Sequence, residues 1–222
     1  MTSVSDDFNR ADEALGDSAN WDVVYESDEA FVVDDGPTDG EVQLETNVSA
    51  PNQYLLARWA GTAMATDDYD VTADIQSTTA LIGVAIAGRI PESGTGSANA
   101  DGYYGGLFGS DAYYIIELAN AGGTENILAS GGSPGTTEHE IRFNLDGSTL
   151  EIFVDGSGSA ELSTTDATYA AGGVGLWWGS FGNDATGVLA NLDNWSAADL
   201  VSPAGLVLPP WTHPRTNTLL RM

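Results

Sequence analysis

The sequence predicts an all-β protein built from two stacked antiparallel sheets. Short apolar segments are separated by Ser, Thr, Asn, Asp and 27 glycines, which is typical of closely spaced strands joined by turns. The clearest segments alternate apolar and polar residues with period two, and helical periodicity is almost missing. A chain of 222 residues fits one large β domain.

Individual strands follow from this alternation. Residues 69–76 place apolar side chains at odd positions and polar side chains at even positions, so one face is buried. Residues 80–87 are apolar on both faces, which predicts a central strand. Residues 138–156 predict a hairpin that turns at Asp146-Gly147, with a second turn at Asp155-Gly156. Further strands are expected near 21–26, 41–46, 53–59, 103–108, 112–118, 172–178 and 187–195, and loops at 91–100 and 131–135.

The composition changes near residue 202 and divides the chain into a domain (1–200) and a tail (201–222). The tail holds no Asp or Glu and four prolines, so we expect an extended segment. Its apolar side chains would be costly to leave in water, so they cover their own domain or dock on another subunit or protein. We predict docking through Leu206, Leu208, Trp211, Arg215, Leu219 and Leu220.

The charge balance excludes several classes of partner. Lysine is absent, and 6 arginines stand against 33 acidic residues, giving a net charge of -27. Such a surface repels nucleic acid and anionic lipid, and its self-repulsion fades when molar salt shortens the screening length to about 3 Å. We therefore expect a salt-adapted fold that binds no nucleic acid and does not insert into membranes. The first residues carry no visible export signal, and without cysteine there are no disulfides.

Both ends of the domain carry recognisable motifs. The opening Asp7-Phe8-Asn9-Arg10-Ala11, the closing Leu192-Asp193-Asn194-Trp195-Ser196 and the 138–156 hairpin together resemble the concanavalin A-like (laminin G-like) jelly-roll family. The resemblance covers roughly residues 6–200. It implies a two-sheet jelly roll with one curved face, in which the first and last strands lie side by side. Similar modules occur in structural proteins of tailed viruses.

The family's glucanases suggest a test for enzymatic activity. They place two Glu and an Asp on one strand, because retaining hydrolysis needs carboxyl groups about 5 to 5.5 Å apart. Here Glu26-Ser27-Asp28 lacks the second Glu, and Arg142 follows Glu138 and Glu140 on their face. We therefore expect no enzymatic activity, and a glycoside hydrolase remains the alternative.

Clustered carboxylates suggest a calcium site. Asp34, Asp35 and Asp39 surround a Gly-Pro turn and supply the oxygen ligands that Ca²⁺ prefers. A second cluster, at 67–70, opens a strand. In a chain this rich in aspartate, clustering by chance is the other explanation, and no defined calcium-loop motif is present.

Trp177 is the candidate for sugar binding. Strand alternation separates it from its apolar neighbours and leaves it among glycines, where an exposed indole could stack on a pyranose. Tyr103 and Tyr113 would add ring surface, and Asp101 and Asp111 would accept hydrogen bonds from hydroxyl groups. Strand glycines also permit close approach of a second sheet or subunit, and Trp177 can equally be a buried residue of the hydrophobic core. The sequence leaves both explanations open.

These observations lead to one expectation about function. We expect a non-enzymatic virion protein of a tailed virus with a salt-loving host, either a capsid decoration or turret or a tail-associated module that contacts host glycans. It would sit on the virion surface, bind other virion proteins through its tail and form a homo-oligomer. The alternative is a secreted or cell-surface carbohydrate-binding lectin module.

Overall fold

The structure, a computed structural model, describes residues 1–8, 13–26, 32–34, 41–45, 53–77, 82–91, 94, 100–109, 111–119, 124–180 and 188–200. These residues form strands and one short 3₁₀ helix, Leu15–Asp17. The predicted tail, residues 201–222, lies outside the described residues, so its docking stays a prediction. No helix within the described ranges is both long enough and apolar enough to cross a membrane.

The strands are numbered in chain order. They are β1 (Ser3–Asp6), β2 (Glu13–Ala14), β3 (Trp21–Glu26), β4 (Val32–Asp34), β5 (Glu41–Glu45), β6 (Gln53–Trp59), β7 (Tyr69–Ser77), β8 (Ile82–Ile90), β9 (Gly102–Phe108), β10 (Ala112–Ala119), β11 (Thr124–Gly131), β12 (His139–Asp146), β13 (Thr149–Val154), β14 (Leu162–Thr165), β15 (Gly173–Ser180) and β16 (Val188–Asp199).

These strands form two antiparallel sheets, which confirms the all-β jelly-roll sandwich. One sheet has nine described strands in the order β14-β13-β12-β7-β16-β5-β4-β2, with β1 also paired to β16. The other has seven, in the order β11-β10-β9-β8-β15-β6-β3. Because β1 pairs with β16, with Asp6 opposite Trp195, the first and last strands lie side by side as the family resemblance implies.

The alternation pattern correctly predicts which strands are half-buried and which are fully buried. In β7, every odd-numbered side chain is buried and every even-numbered one is partly exposed. In β8, all nine residues are buried, and the strand lies at the centre of its sheet between β9 and β15. The seven-stranded sheet is apolar on both faces: one faces the core between the sheets, and the other carries a second apolar cluster.

The predicted β12–β13 hairpin is confirmed, but its turn lies one residue later. Asp146 still pairs with Thr149, so the loop is Gly147-Ser148, and Gly147 supplies a positive φ of 55°. The second predicted turn is present at Asp155-Gly156. Both of these residues have positive φ, 52° and 67°, as a type I′ turn requires, and the Ser157 amide donates to the Val154 carbonyl to close it.

The sequence pattern does not predict strands β1, β2, β4, β11 and β14. The longest of them, β11, forms the edge of its sheet, and most of its side chains are exposed. An edge strand buries little apolar surface, so its sequence shows no clear alternation. The sequence predicts a loop from residue 131, but Gly131 is the last residue of β11.

Arg89 fastens one end of the sandwich, which we call the loop end: the end where β6 and β8 finish and β9 and β15 begin. It occupies a bulge in β8 with a φ of 54°, and its side chain is 1% exposed. Its guanidinium pairs with Asp68 at 3.2 Å. It also donates to three main-chain carbonyls, those of Asp67 (3.1 Å), Gly147 (2.7 Å) and Tyr169 (3.3 Å). One side chain therefore ties three separate loops to β8.

Replacing Arg89 with Lys should destabilise the fold strongly. A lysine keeps the charge but cannot reproduce the planar fork of donors, so buried carbonyl groups lose their partners. We expect the free energy of unfolding, measured by urea titration, to fall by about 2 to 4 kcal/mol.

Arg142→Lys is the matched control. Arg142 pairs with Asp70 at 3.4 Å on the outer face of the other sheet, where its side chain is 35% exposed. A surface pair of this kind contributes at most about 1 kcal/mol. Equal losses for the two variants would contradict the role assigned to Arg89.

Candidate functional site

A small pocket opens at the loop end of the sandwich, and we call it the Trp59 pocket. Its cavity volume is about 150 Å³. It lies where β3, β6 and β15 meet the loop that follows β6. The described lining residues are Asp22, Arg58, Trp59, Ala60, Gly61, Thr62, Ala63, Met64, Gly173 and Val174.

Strand pairing brings the polar groups of the pocket together. Asp22 in β3 lies directly opposite Arg58 in β6, and Arg58 lies opposite Gly175 in β15. Trp21 and Trp59 form the neighbouring pair of the β3–β6 ladder. The charged pair and the aromatic pair therefore stand side by side at the rim of the seven-stranded sheet.

The charged pair is strongly asymmetric in exposure. The Arg58 side chain is 6% exposed and the Asp22 side chain is 52% exposed. Arg58 donates to Asp22 Oδ2 at 2.9 Å and to the carbonyl oxygens of Pro91 at 2.8 Å and Gly94 at 3.4 Å. Among the described residues, nothing donates to the other carboxylate oxygen, Asp22 Oδ1. The pocket therefore presents a carboxylate acceptor and keeps its cation buried.

The Trp59 indole packs against the core between the sheets, beside the pocket. It packs edge-on against Trp21, with ring centroids 5.4 Å apart, and stacks on Trp195 at 5.2 Å. Gly61 lies against the same indole, so a Cβ there would come within 2.7 Å of Trp59 Nε1. Any larger residue at position 61 would displace either the indole or the loop.

Asp199 holds the loop that follows β6. The buried carboxylate accepts hydrogen bonds from the backbone amides of Ala65 and Thr66, both at 3.0 Å, and from the amide of Thr2. Burial by itself would raise the pKa of Asp199, but these hydrogen bonds stabilise the charged form and lower its pKa below the usual value. The last residue of β16 therefore fixes both the loop of the Trp59 pocket and the start of the chain.

The expectation that Trp177 stands on a bare surface is wrong. Trp177 does point away from the core between the sheets, but it is only 2% exposed. Its indole stacks on Phe108 at 5.3 Å and contacts Tyr104 at 5.9 Å, both in β9. The strand between them, β8, places Ala85 opposite Trp177 and opposite Gly106, so the indole has room to reach β9. The small residues that suggested an open platform instead permit close packing.

Tyr103 does not provide a ring for stacking either. It is fully buried on the core face, opposite in direction to Trp177. Its hydroxyl donates to the carboxylate of Asp166 and accepts a hydrogen bond from the Tyr169 amide at 3.1 Å. Burial, reinforced by the neighbouring Asp166, raises the pKa of Tyr103 to about 12. The side chain therefore anchors the chain before β15.

The other three sugar-site candidates do not join Trp177 in one site. Tyr113 is buried against Gly132, where a Cβ would come within 2.5 Å of the ring. Asp101 precedes β9 and Asp111 precedes β10, at opposite ends of the β9–β10 hairpin. At a rise of about 3.3 Å per residue, the seven residues of β9 separate the two carboxylates by about 20 Å.

The calcium prediction stays untested at its main cluster. The side chains of Asp34, Asp35 and Asp39 lie outside the described part of the chain. In the second cluster, Asp68 pairs with Arg89 and Asp70 with Arg142, so both carboxylates face cations. Where side chains are described, no group of three or more His, Cys, Asp or Glu could hold a metal ion.

His139 lies beside Tyr113, with ring centroids 6.1 Å apart. Its Nδ1 is 2.9 Å from Asp155 Oδ2, and its Nε2 is 2.9 Å from the Pro134 carbonyl oxygen. Both ring nitrogens face acceptors, and only the doubly protonated ring can donate to both. Burial by itself would lower the pKa of His139, but these two partners raise it above its usual value.

Comparisons with known proteins support the fold. No family profile matches the chain, and no curated protein sequence matches it. Among solved structures, the carbohydrate-binding module CBM66 from Bacillus subtilis is similar, with a TM-score of 0.56 and 13% identity over 81% of this chain and 96% of that one. The exoplasmic/lumenal domain of VIP36 in its Ca²⁺/Man2-bound form has a TM-score of 0.56 and 11% identity over 90% and 88% of the chains.

A third similar structure comes from a virus. It is the CBM2 module of the evolved Dit of Lactobacillus casei BL23 phage J-1, with a TM-score of 0.52 and 12% identity over 88% of this chain and 95% of that one. At such low identities these likenesses establish a shared fold and no more.

The His139 contacts predict a pH dependence of stability. A folded-state pKa above the unfolded value of about 6.5 contributes stability that is complete below that value and is lost as pH rises through the folded pKa. We expect the free energy of unfolding, measured by urea titration at constant salt, to decrease from about pH 6 upwards, and His139→Asn to remove this decrease. A wild-type protein that gains stability over the same range would contradict the assignment.

Proposed function

We propose that this chain is a non-enzymatic carbohydrate-binding module whose ligand enters the Trp59 pocket. We further propose that it is displayed on the virion of a tailed virus with a salt-loving host, as a capsid decoration, a turret or a tail-associated module. The Asp22 carboxylate, held on the rim of an otherwise largely apolar pocket, is the observation that carries the proposal.

The pocket has the composition that sugar recognition needs. Small-ligand sites are concave and mostly apolar, with a few polar groups that fix the ligand's orientation. Ala60, Ala63 and Met64 supply apolar walls beside the Trp59 indole, and Asp22 Oδ1 remains able to accept a hydrogen bond. A sugar offers both an apolar ring face and hydroxyl donors, so it suits such a lining.

A binding role suits the pocket better than catalysis. Retaining and inverting glycosidases both need a pair of carboxyl groups at the scissile bond. Asp22 is the only carboxylate among the described residues that line the pocket. One carboxylate paired with a buried guanidinium can orient a hydroxyl group but cannot serve as both acid and base.

The virion placement rests on three observations. The net charge of -27 suits a salt-rich medium, and the tail after residue 200 is apolar and weakly basic, as an anchor to an acidic scaffold would be. The phage Dit module shares the fold and is nearly covered by this chain. A secreted lectin module is the alternative, and it would bind the same sugars without being part of a virion.

Asp22→Asn should weaken sugar binding at least tenfold. The amide keeps an oxygen that can accept from Arg58, so the fold should survive, but the charged acceptor for hydroxyl groups is lost. The measurement is binding to an array of neutral oligosaccharides at about 2 M NaCl, where the repulsion of the whole protein is screened.

Asp111→Asn is the matched control for this test. It removes the same charge from an exposed residue at the far end of the β9–β10 hairpin. Unchanged binding by the control and lost binding by Asp22→Asn support the site. The opposite pattern would move the site to the Asp111 end, and a wild-type protein that binds nothing on the array would reject the proposed function.

A further inference from the structure

The size and charge of the Trp59 pocket restrict the class of sugar it accepts. Building on the proposed function, we propose that the pocket accepts one uncharged sugar ring at the end of a glycan and rejects carboxylated and sulfated sugars. Volume, electrostatics and the shape of one wall each support a part of this proposal.

The volume limits the ligand to a single ring. The cavity measures about 150 Å³. Pockets that bury drug-sized ligands measure about 300 to 1,000 Å³. The loop from Ala60 to Met64 forms a wall, so a long glycan does not lie along the pocket as it would along an open groove. A chain end is therefore the part of a glycan that enters.

Electrostatics select against an anionic ring. The described cation of the pocket, Arg58, is buried, and its guanidinium donates to Asp22 and to two carbonyl groups. The half-exposed carboxylate of Asp22 is the charge that a ligand meets first. Two like charges at contact distance repel, whereas the hydroxyl groups of a neutral sugar can donate to this carboxylate.

The bare backbone of Gly173 supplies one wall of the pocket. A Cβ at this position would lie 3.6 Å from Arg58 Cδ, an ordinary contact distance, so a side chain fits there without a clash. That side chain would occupy space beside the Arg58 stem, which itself lines the pocket. Position 173 therefore allows the pocket to be filled without removing any polar group.

The ligand test compares matched sugars by calorimetry with the full chain in about 2 M NaCl. There the screening length of about 3 Å or less removes the long-range repulsion of the acidic surface, and the repulsion between groups in contact at Asp22 is what remains to be measured. The probes are the methyl glycosides of glucose, mannose and galactose, the matching uronic acids, and trisaccharides ending in the same sugars. We expect at least one neutral glycoside to bind, its uronic acid to bind at least tenfold more weakly, and its trisaccharide to bind within about threefold of the monosaccharide.

Two variants test the location of the binding. Gly173→Val should reduce the affinity for the neutral glycoside at least tenfold. Gly158→Val makes the same change at an exposed glycine whose Cβ would meet nothing within 4 Å, and it should leave the affinity unchanged. Asp22→Asn should reduce the difference in affinity between the neutral glycoside and its uronic acid.

Each contrary outcome has a distinct meaning. Equal binding of the uronic acid and the neutral glycoside would overturn the charge selection, and a trisaccharide that binds more than tenfold tighter would overturn the single-ring limit. In both cases sugar binding itself would stand. Binding of a uronic acid alone would likewise overturn only the charge selection. If no neutral glycoside, uronic acid or trisaccharide binds, the proposed function fails together with this inference. Full binding by Gly173→Val would place the ligand outside the Trp59 pocket.

Discussion

Two buried guanidinium groups hold the loop end of this sandwich together. In a chain with only six arginines, Arg58 and Arg89 are each almost fully buried there. Each makes most of its hydrogen bonds to main-chain carbonyls. Loops between strands carry carbonyl groups that no ladder satisfies, and a planar guanidinium can satisfy several of them at once. The paired carboxylates, Asp22 and Asp68, both remain about half exposed. The loop end therefore buries its guanidinium groups and presents carboxylates to the solvent.

The Trp59 pocket lies at the end of the seven-stranded sheet and not on its outer face, and the packing of Trp177 and Trp59 explains why. The outer face of the seven-stranded sheet looks suited to a flat ligand, because glycine and alanine alternate there with aromatic residues. Instead, Trp177 lies across β8 and packs against Phe108 and Tyr104. At the loop end, by contrast, Trp59 is held between Trp195 and Gly61. The small residues that follow Trp59 leave the Trp59 pocket unfilled by side chains.

Local sequence pattern predicted the strands better than it predicted the site. Period-two alternation correctly predicts β7, and an apolar run predicts the central strand β8. Both predictions succeed because burial of one face or of both faces determines which positions of a strand are apolar. Edge strands such as β11 bury too little to leave that pattern. The exposure of Trp177 in β15 depends on β9, which lies beyond β8 in the sheet. The Asp22–Arg58 pair depends on the register between β3 and β6. Neither relation is visible in a single sequence.

The most direct test of the account is to map where a sugar touches the protein. The backbone and indole N–H signals of the ¹⁵N-labelled chain would be followed by NMR at about 2 M NaCl, as a neutral methyl glycoside that binds is added. We expect the largest changes at Asp22, Thr62 and Gly173 around the Trp59 pocket. Changes centred instead on Phe108, Tyr114 and the Trp177 indole would show that the outer sheet face opens to bind the sugar, and would contradict the account.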